Sequence, residues 1–327
     1  MGSADRHWAH HTPSLNGLSY RFAVRSDDAR LGSYAETLLA GLRGEGPVEH
    51  WYSLTRSAGS SASAGSGVFM VDVDIDGERG TQARRPGDAL AWVVWHANQA
   101  AANAGSDHLL FHAAGVCAEN GSGGGLGVIM PAGSGSGKST LTAGLVRAGV
   151  SYLSDELIAL ELEPESTATG GRLLPYAKPI TVKPGSFDAL RDLEPRGIGV
   201  GIGVEDGMSA DEWWDGEEWL LPVGEEVGRS VAASCLPGVV VVPQYQANAT
   251  TELTPLSETE AFVALAVNAV NFKQHGANGA RALGDLVSRC VCVALTMSDL
   301  DEACALVLDV VARASAGRAV RGAGRAR

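Results

Sequence analysis

Cysteine is scarce in this sequence of 327 residues, and its five copies, at 117, 235, 290, 292 and 304, form no CxxC pair and accompany no cluster of histidines. That pattern points away from a zinc site and from a disulfide framework, and reduced thiols in a core are expected instead. No unbroken apolar run has the length a membrane helix needs, and the opening MGSADRHWAHHTPSLNG lacks the apolar centre of a secretory signal. A cytoplasmic protein with no membrane partner is therefore expected. Positive charge is also short, and the formal net charge of −13 argues against non-specific nucleic-acid binding. The exception is the chain end, where Arg313, Arg318, Arg321, Arg325 and Arg327 lie among Ala and Gly; residues 314–327 read as a solvated, disordered tail. Apolar residues are plentiful at 45%, enough to build the core of one large or two modest domains.

Periodicity divides the chain near residue 106. Before it, SYRFAVRS, HWYSLTRS and GVFMVDVDIDGER read as strands and ARLGSYAETLLAGL as a helix. The Gly/Ser-rich SAGSSASAGSG marks an exposed connection. A second helix, PGDALAWVVWHANQAAANAG, opens on proline and places Leu90, Val93, Val94 and Ala97 on one side. The expectation is a smaller α+β region over 1–106 followed by a catalytic domain over 107–313. In the latter, LLFHAAGVCAE, GLGVIMP, a helix LTAGLVRAG and VSYLSDELIALELE give a βαβ rhythm, the mark of a parallel sheet covered by helices. CLPGVVVVPQY and CVCVALTM read as further strands. SETEAFVALAVNAVNF reads as one long helix and SDLDEACALVLDVVARA as the closing one, with capping boxes expected at Ser257/Glu260 and Ser298/Asp301. Residues 195–230, rich in Gly, acid and tryptophan, read as an irregular insertion.

The segment AGSGSGKST carries chemistry. Gly133, Gly135 and Gly137, spaced by Ser134 and Ser136, let the backbone curl so that successive N–H groups face phosphate oxygens, and the next helix offers its positive end. Lys138 supplies a mobile charge for the β and γ phosphates, Ser139 a hydroxyl for Mg²⁺, and Thr140 continues the turn into the helix. A strand before and a helix after supply the context a phosphate-binding loop requires. ATP and Mg²⁺ are the expected ligands.

VSYL then ends in Ser154, Asp155 and Glu156, with Asp155 seventeen residues beyond Lys138. The short intervening helix makes this strand the expected neighbour of the loop strand, which sets the acids beside the phosphates. Two acids there can divide the work, one accepting a proton from an attacking hydroxyl and the other holding Mg²⁺. Acids at strand ends are also ordinary turn residues. His112, in the strand before the loop, alternates with Leu110 and Ala114, where a histidine is more often a core residue than a functional one.

Taken together, FHAAGV, PAGSGSGKSTLTAGLVRAG, YLSDELIAL, PYAKPITVKPGSF, VVVVPQY and NAVNFKQHGANG resemble the HPr kinase/phosphorylase-like family of P-loop kinases. The closest likeness is to the HPr-kinase-related proteins associated with peptide tailoring, such as lasso peptide kinases. The likeness covers about 108–310. It implies an α/β P-loop kinase domain of the HPr kinase and phosphoenolpyruvate carboxykinase type. It implies Asp155 as activator of the acceptor hydroxyl, Glu156 as metal aid where HPr kinases have a second aspartate, and His112 near the γ-phosphate. EPRGIGV, with Glu194 and Arg196, looks like the sequence around the HPr kinase RGxG. HPr kinases carry Glu where this chain has Thr140. The implied activity is transfer of the ATP γ-phosphate to a serine or threonine of a peptide or small protein, with a ribosomal peptide precursor among the acceptors and a homo-oligomer left open. A kinase of a small hydroxylated metabolite and a nucleotide-binding regulator remain the alternatives. A transporter ATPase would need an LSGGQ-like sequence, and none is visible.

Overall fold

Alternating apolar and polar residues in YRFAVRS and HWYSLTR do form strands in the computed structural model, which describes residues 7–57, 70–104, 107–118, 125–162, 171–194 and 218–325. The chain divides into two compact units, one of Met1–Gly105 with Lys178–Val227, the other of Ser106–Ala177 with Gly228–Arg327. The architecture is mixed α/β with several sheets.

In the first unit, strands β1 (His10–His11), β2 (Leu15–Gly17), β3 (Tyr20–Ser26), β4 (His50–Arg56), β5 (Val71–Ile75) and β6 (Glu78–Ala83) make one sheet in the order β1-β3-β4-β5-β6, with β2 on β3. Only β3 and β4 pair in parallel, because helix α1 (Ala29–Leu38) crosses between them. Asp28 caps α1 by accepting from the N–H groups of Arg30 and Leu31, and Leu31, Ala35 and Leu38 are buried. Helix α2 (Pro86–Asn103) starts on Pro86 and buries Leu90, Val93, Val94 and Ala97, the face its periodicity marks. Residues Ile180–Val182 and Trp219–Leu221, which the sequence placed within the catalytic stretch, form an antiparallel ribbon in this unit. The Trp219 ring stacks on Phe187 at 3.9 Å. Residues 195–217, with Trp213, Trp214 and Arg196, lie outside the described residues.

The second unit is built on β7 (Leu109–Ala118), β8 (Leu126–Pro131), β9 (Ser151–Ser154), β10 (Leu157–Leu160), β11 (Leu173–Leu174), β12 (Leu236–Tyr245), β13 (Glu252–Pro255) and β14 (Val291–Met297). The order is β11-β10-β7-β8-β12-β14-β13, with β9 also on β7. Strands β8, β12 and β14 are parallel, whereas β7 runs antiparallel to β8. The expected fully parallel βαβ arrangement is thus corrected. Helix α3 (Lys138–Arg147) does carry the chain from β8 to β9, but β7 lies between them, and β9 pairs with β7 rather than with the loop strand. Side chains at 109, 111 and 113 of β7 join Ile129, Val240, Leu265, Leu283 and Leu286 in one core layer. Alternation sends Leu110, His112 and Ala114 to the opposite face.

Three helix expectations are also corrected. The apolar run after Ser257 is two helices, α4 (Glu258–Val267) and α5 (Phe272–Arg289), broken where Asn268 turns its amide onto the Ala264 carbonyl and Asn271 bonds to β7. The capping box at Ser257 and Glu260 is present. At the closing helix α6 (Leu300–Arg325), Asp299 is the cap, accepting from Glu302 N at 2.8 Å, while Ser298 donates its hydroxyl to Ala249 O. Helix α6 runs on to Arg325, so residues 314–325 are helical rather than a disordered tail; alanine and arginine are strong helix formers. Among the described residues no helix is long and apolar enough to cross a membrane.

Candidate phosphate-binding site

Strand β8 is buried along its whole length and delivers the chain at Pro131 into the glycine loop. Gly135 and Gly137 both take left-handed backbone angles, φ 80° and 89°. A Cβ at Gly137 would also stand 2.2 Å from the Met297 methyl group, the movable end of that side chain. Leu141 N donates to Gly137 O at 2.9 Å and starts α3, whose Leu141, Ala143 and Leu145 anchor it in the core. The loop is further tied to the end of β12 by Tyr245 N donating to Ser136 O at 3.0 Å.

Lys138 is buried and bends back over the loop, its Nζ donating to Ala132 O at 2.5 Å and Gly133 O at 2.9 Å. Ser139 Oγ donates to Asp155 Oδ2 at 3.0 Å, joining the loop to the acid pair. Asp155 is 3% exposed. Its second oxygen accepts from Tyr152 OH at 2.9 Å. Burial, and then the charge of Asp155, holds the Tyr152 phenol well above its usual pKa.

The acids reach this position through a bend. The buried Ser154 hydroxyl accepts the N–H groups of Glu156 and Leu157, at 3.2 and 3.1 Å, which interrupts the ladder between β9 and β10. Pairing with β7 slips at the same place, between Gly115 and Val116, and resumes with Leu157 opposite His112. On the other edge of β7, Ala113 is opposite Pro131, the residue before the loop. Loop and acids therefore flank β7 at one level, two strand spacings apart at roughly 10 Å between backbones. His112 is half-buried at that level, on the face of β7 away from the α4–α5 core layer. Glu156 is half-buried, and its backbone carbonyl accepts from Ala113 N.

The loop fits a triphosphate on its own geometry. Among the described residues nothing stands within 4 Å of a Cβ built at Gly133 or Gly135, and Ser136 Oγ is a buried oxygen with no hydrogen-bond partner. Gly133, Ser134 and Gly135 are exposed, while Thr140, like Ser139, is half-buried. Among the described residues no group of three or more His, Cys, Asp or Glu could hold a metal. One hydroxyl and one carboxylate are the partial set that Mg²⁺ takes when phosphates complete its shell.

No family model matches the chain, and no curated protein matches it.

The structure joins Ser139 of the loop to Asp155, with Glu156 next in the chain and His112 paired opposite Leu157. Arg196, and with it the RGxG-like sequence, lies outside the described residues. Sequence reasoning missed Tyr152, which holds Asp155, and Ser154, which makes the bend. Ser154 shows in the sequence only as the polar end of a four-residue strand, and Tyr152 only as an aromatic inside it. No disulfide joins the five cysteines, and four of them are buried; burial raises the pKa of the Cys292 and Cys304 thiols to about 11.

Proposed function

We propose that the protein is an ATP-dependent kinase that transfers the γ-phosphate to a serine or threonine hydroxyl of a peptide or small protein, on a P-loop domain of the HPr kinase type. The observation that carries this reading is the hydrogen bond from Ser139 to Asp155, which joins a phosphate-binding loop to a carboxylate at the distance a metal-nucleotide site needs. Backbone N–H groups of 133–139 would hold the phosphates, and Lys138 would exchange its two carbonyl partners for phosphate oxygens. Ser139 and Asp155 would hold Mg²⁺, which supplies charge neutralisation at the transferring phosphoryl group.

The geometry favours a division of labour opposite to the one the family likeness implies. Asp155 is buried, with each oxygen already bonded to a hydroxyl, which suits a metal-side group better than a base that an incoming peptide must touch. Glu156, half-buried beside it, is then the proton acceptor, with His112 on the neighbouring strand as its reserve.

The deciding experiment is transfer of labelled phosphate from Mg-ATP to three acceptor sets: serine- and threonine-bearing peptides, small alcohols, and free amino acids. Label on the peptides supports the reading. Label on small acceptors alone makes the protein a metabolite kinase. ATP binding with no transfer to any of them makes it a nucleotide-responsive regulator.

A further inference from the structure

The loop strand β8 has two different neighbours. On one side lies β7, with β9 and Asp155 beyond it; on the other lies β12, followed by β14. Ser139 bonds to Asp155, so a metal held by that pair, and the γ-phosphate it serves, belong to the β7 side. A nucleoside triphosphate carries its base at the end opposite the γ-phosphate. With one end held toward β7, the base leaves over β12. Strands β8, β12 and β14 are parallel, and their carboxyl ends form the edge where ligands of open α/β sheets collect.

Tyr245 is the last residue of β12 on that edge. Its N–H donates to Ser136 O of the loop at 3.0 Å, and the N–H of Gln246 donates to Met297 O at 3.0 Å, so the backbone is pinned to the loop on one side and to β14 on the other. A Cβ built at Gly137 would lie 3.5 Å from Tyr245 Cβ, which sets the side chain beside the first turn of α3. The turn that follows is also fixed. Ser298 donates its hydroxyl to Ala249 O at 2.7 Å, and Thr251 Oγ1 accepts from the N–H groups of Ser298 and Asp299, both at 3.2 Å.

Although its backbone is held, the Tyr245 side chain is 55% exposed. Among the described residues of the second unit no other aromatic side chain is as much as half exposed. An open ring on a rigid backbone beside a phosphate loop suits a planar base, which stacks through its π-face and needs no hydrogen-bond partner to do so.

We infer that Tyr245 is the platform on which the base of the bound nucleotide stacks. The proposal rests on the reading of the loop as a nucleotide site, and it needs no phosphate transfer.

The test is titration calorimetry of the full chain and of its Tyr245→Ala and Tyr245→Phe variants with two ligands, Mg-ATP and Mg-tripolyphosphate, which has the three phosphates and no base. The side chain is exposed, so the melting temperature of the free protein should stay near that of the wild type in both variants. Tyr245→Ala should weaken Mg-ATP about 5–100-fold, the contribution of one stacked base, and leave Mg-tripolyphosphate unchanged. Tyr245→Phe should keep wild-type affinity for both ligands, because a ring without its hydroxyl still stacks. Equal Mg-ATP affinity in the wild type and Tyr245→Ala would overturn the inference, as would a loss that Tyr245→Phe does not restore. A loss in Tyr245→Ala that is equal for the two ligands would make Tyr245 a brace of the loop and would overturn it too. Binding of neither ligand by the wild type would remove the inference together with the loop reading. Base-dependent binding of the expected pattern without phosphate transfer to any acceptor would sink the kinase reading and leave this one standing.

Discussion

Replacing Asp155 with Asn perturbs the site with almost no change of shape, and the structure sets what each reading expects. The carboxylate accepts two hydroxyl hydrogen bonds, at 3.0 Å from Ser139 and 2.9 Å from Tyr152. An amide has one oxygen, so one donor must face an NH₂ group. Hydrogen bonds to a charged partner contribute about 1.5–3 kcal/mol, and one is lost. Removing a buried charge offsets part of that cost. The net destabilisation should be about 1–2 kcal/mol, read as a fall of a few degrees in Tm. If Asp155 serves the metal, the Mg²⁺ concentration for half-maximal transfer should rise about 10–100-fold, with much of the rate restored at high Mg²⁺. If Asp155 is instead the base, transfer should fall about 10²–10⁴-fold at every Mg²⁺ concentration. The assay is initial-rate phosphate transfer across a Mg²⁺ titration, with Glu156→Gln as the mirror experiment. A loss in Asp155→Asn that saturating Mg²⁺ leaves untouched, beside a Mg²⁺-rescued Glu156→Gln, would refute the division of labour drawn from the hydrogen bonds. Near-normal transfer in both variants would remove the acid pair from the chemistry.

Lys138→Ala should abolish transfer and the thermal stabilisation by Mg-ATP while the apo fold survives; stabilisation equal to wild type would exclude the loop from nucleotide binding. Gly137→Ala should cost about 1–3 kcal/mol in denaturant unfolding, since φ 89° strains any side chain there and the Met297 methyl must move. Asn271→Ala should destabilise by about 1–3 kcal/mol, because Leu110 N and His108 O lose a buried partner, and hydrogen exchange should rise at Leu110 and Val270. Tyr152 gives a pH dependence. Its folded pKa lies above its usual 10, so the native state holds the proton more tightly than the unfolded chain. The associated stability is present below about pH 10 and is lost as pH rises above it. Alkaline unfolding of Tyr152→Phe should therefore be less steep above pH 10, and an unchanged slope would contradict the buried hydrogen bond to Asp155.

What could be read from the sequence follows how local each constraint is. The glycine loop was legible as a turn between a strand and a helix because its pattern lies within nine consecutive residues, and β8 and α3 do flank it. Helix α2 and the Ser257 cap were legible for the same reason, since their partners lie within a turn or two. The break between α4 and α5 was not, because the group that competes with the helix for Asn271 is Leu110 N, 161 residues earlier. Strand order was hidden for a related reason. A strand-loop-helix-strand run fixes the direction of β9 relative to β8, but not whether a third strand lies between them. The intervening strand, β7, is what gives the site its form. One of its edges carries the loop strand and then the α4–α5 connector, and the other carries β9, the bend at Asp155 and Glu156, and β10. Had β9 paired directly with β8, the acids would lie one strand spacing from the loop. With β7 between them, Ser139 still meets Asp155 because α3 packs on β7. The spacing between the loop strand and the acids is thus set by an antiparallel strand that the local pattern did not reveal, and the proposed division of labour between Asp155 and Glu156 depends on it.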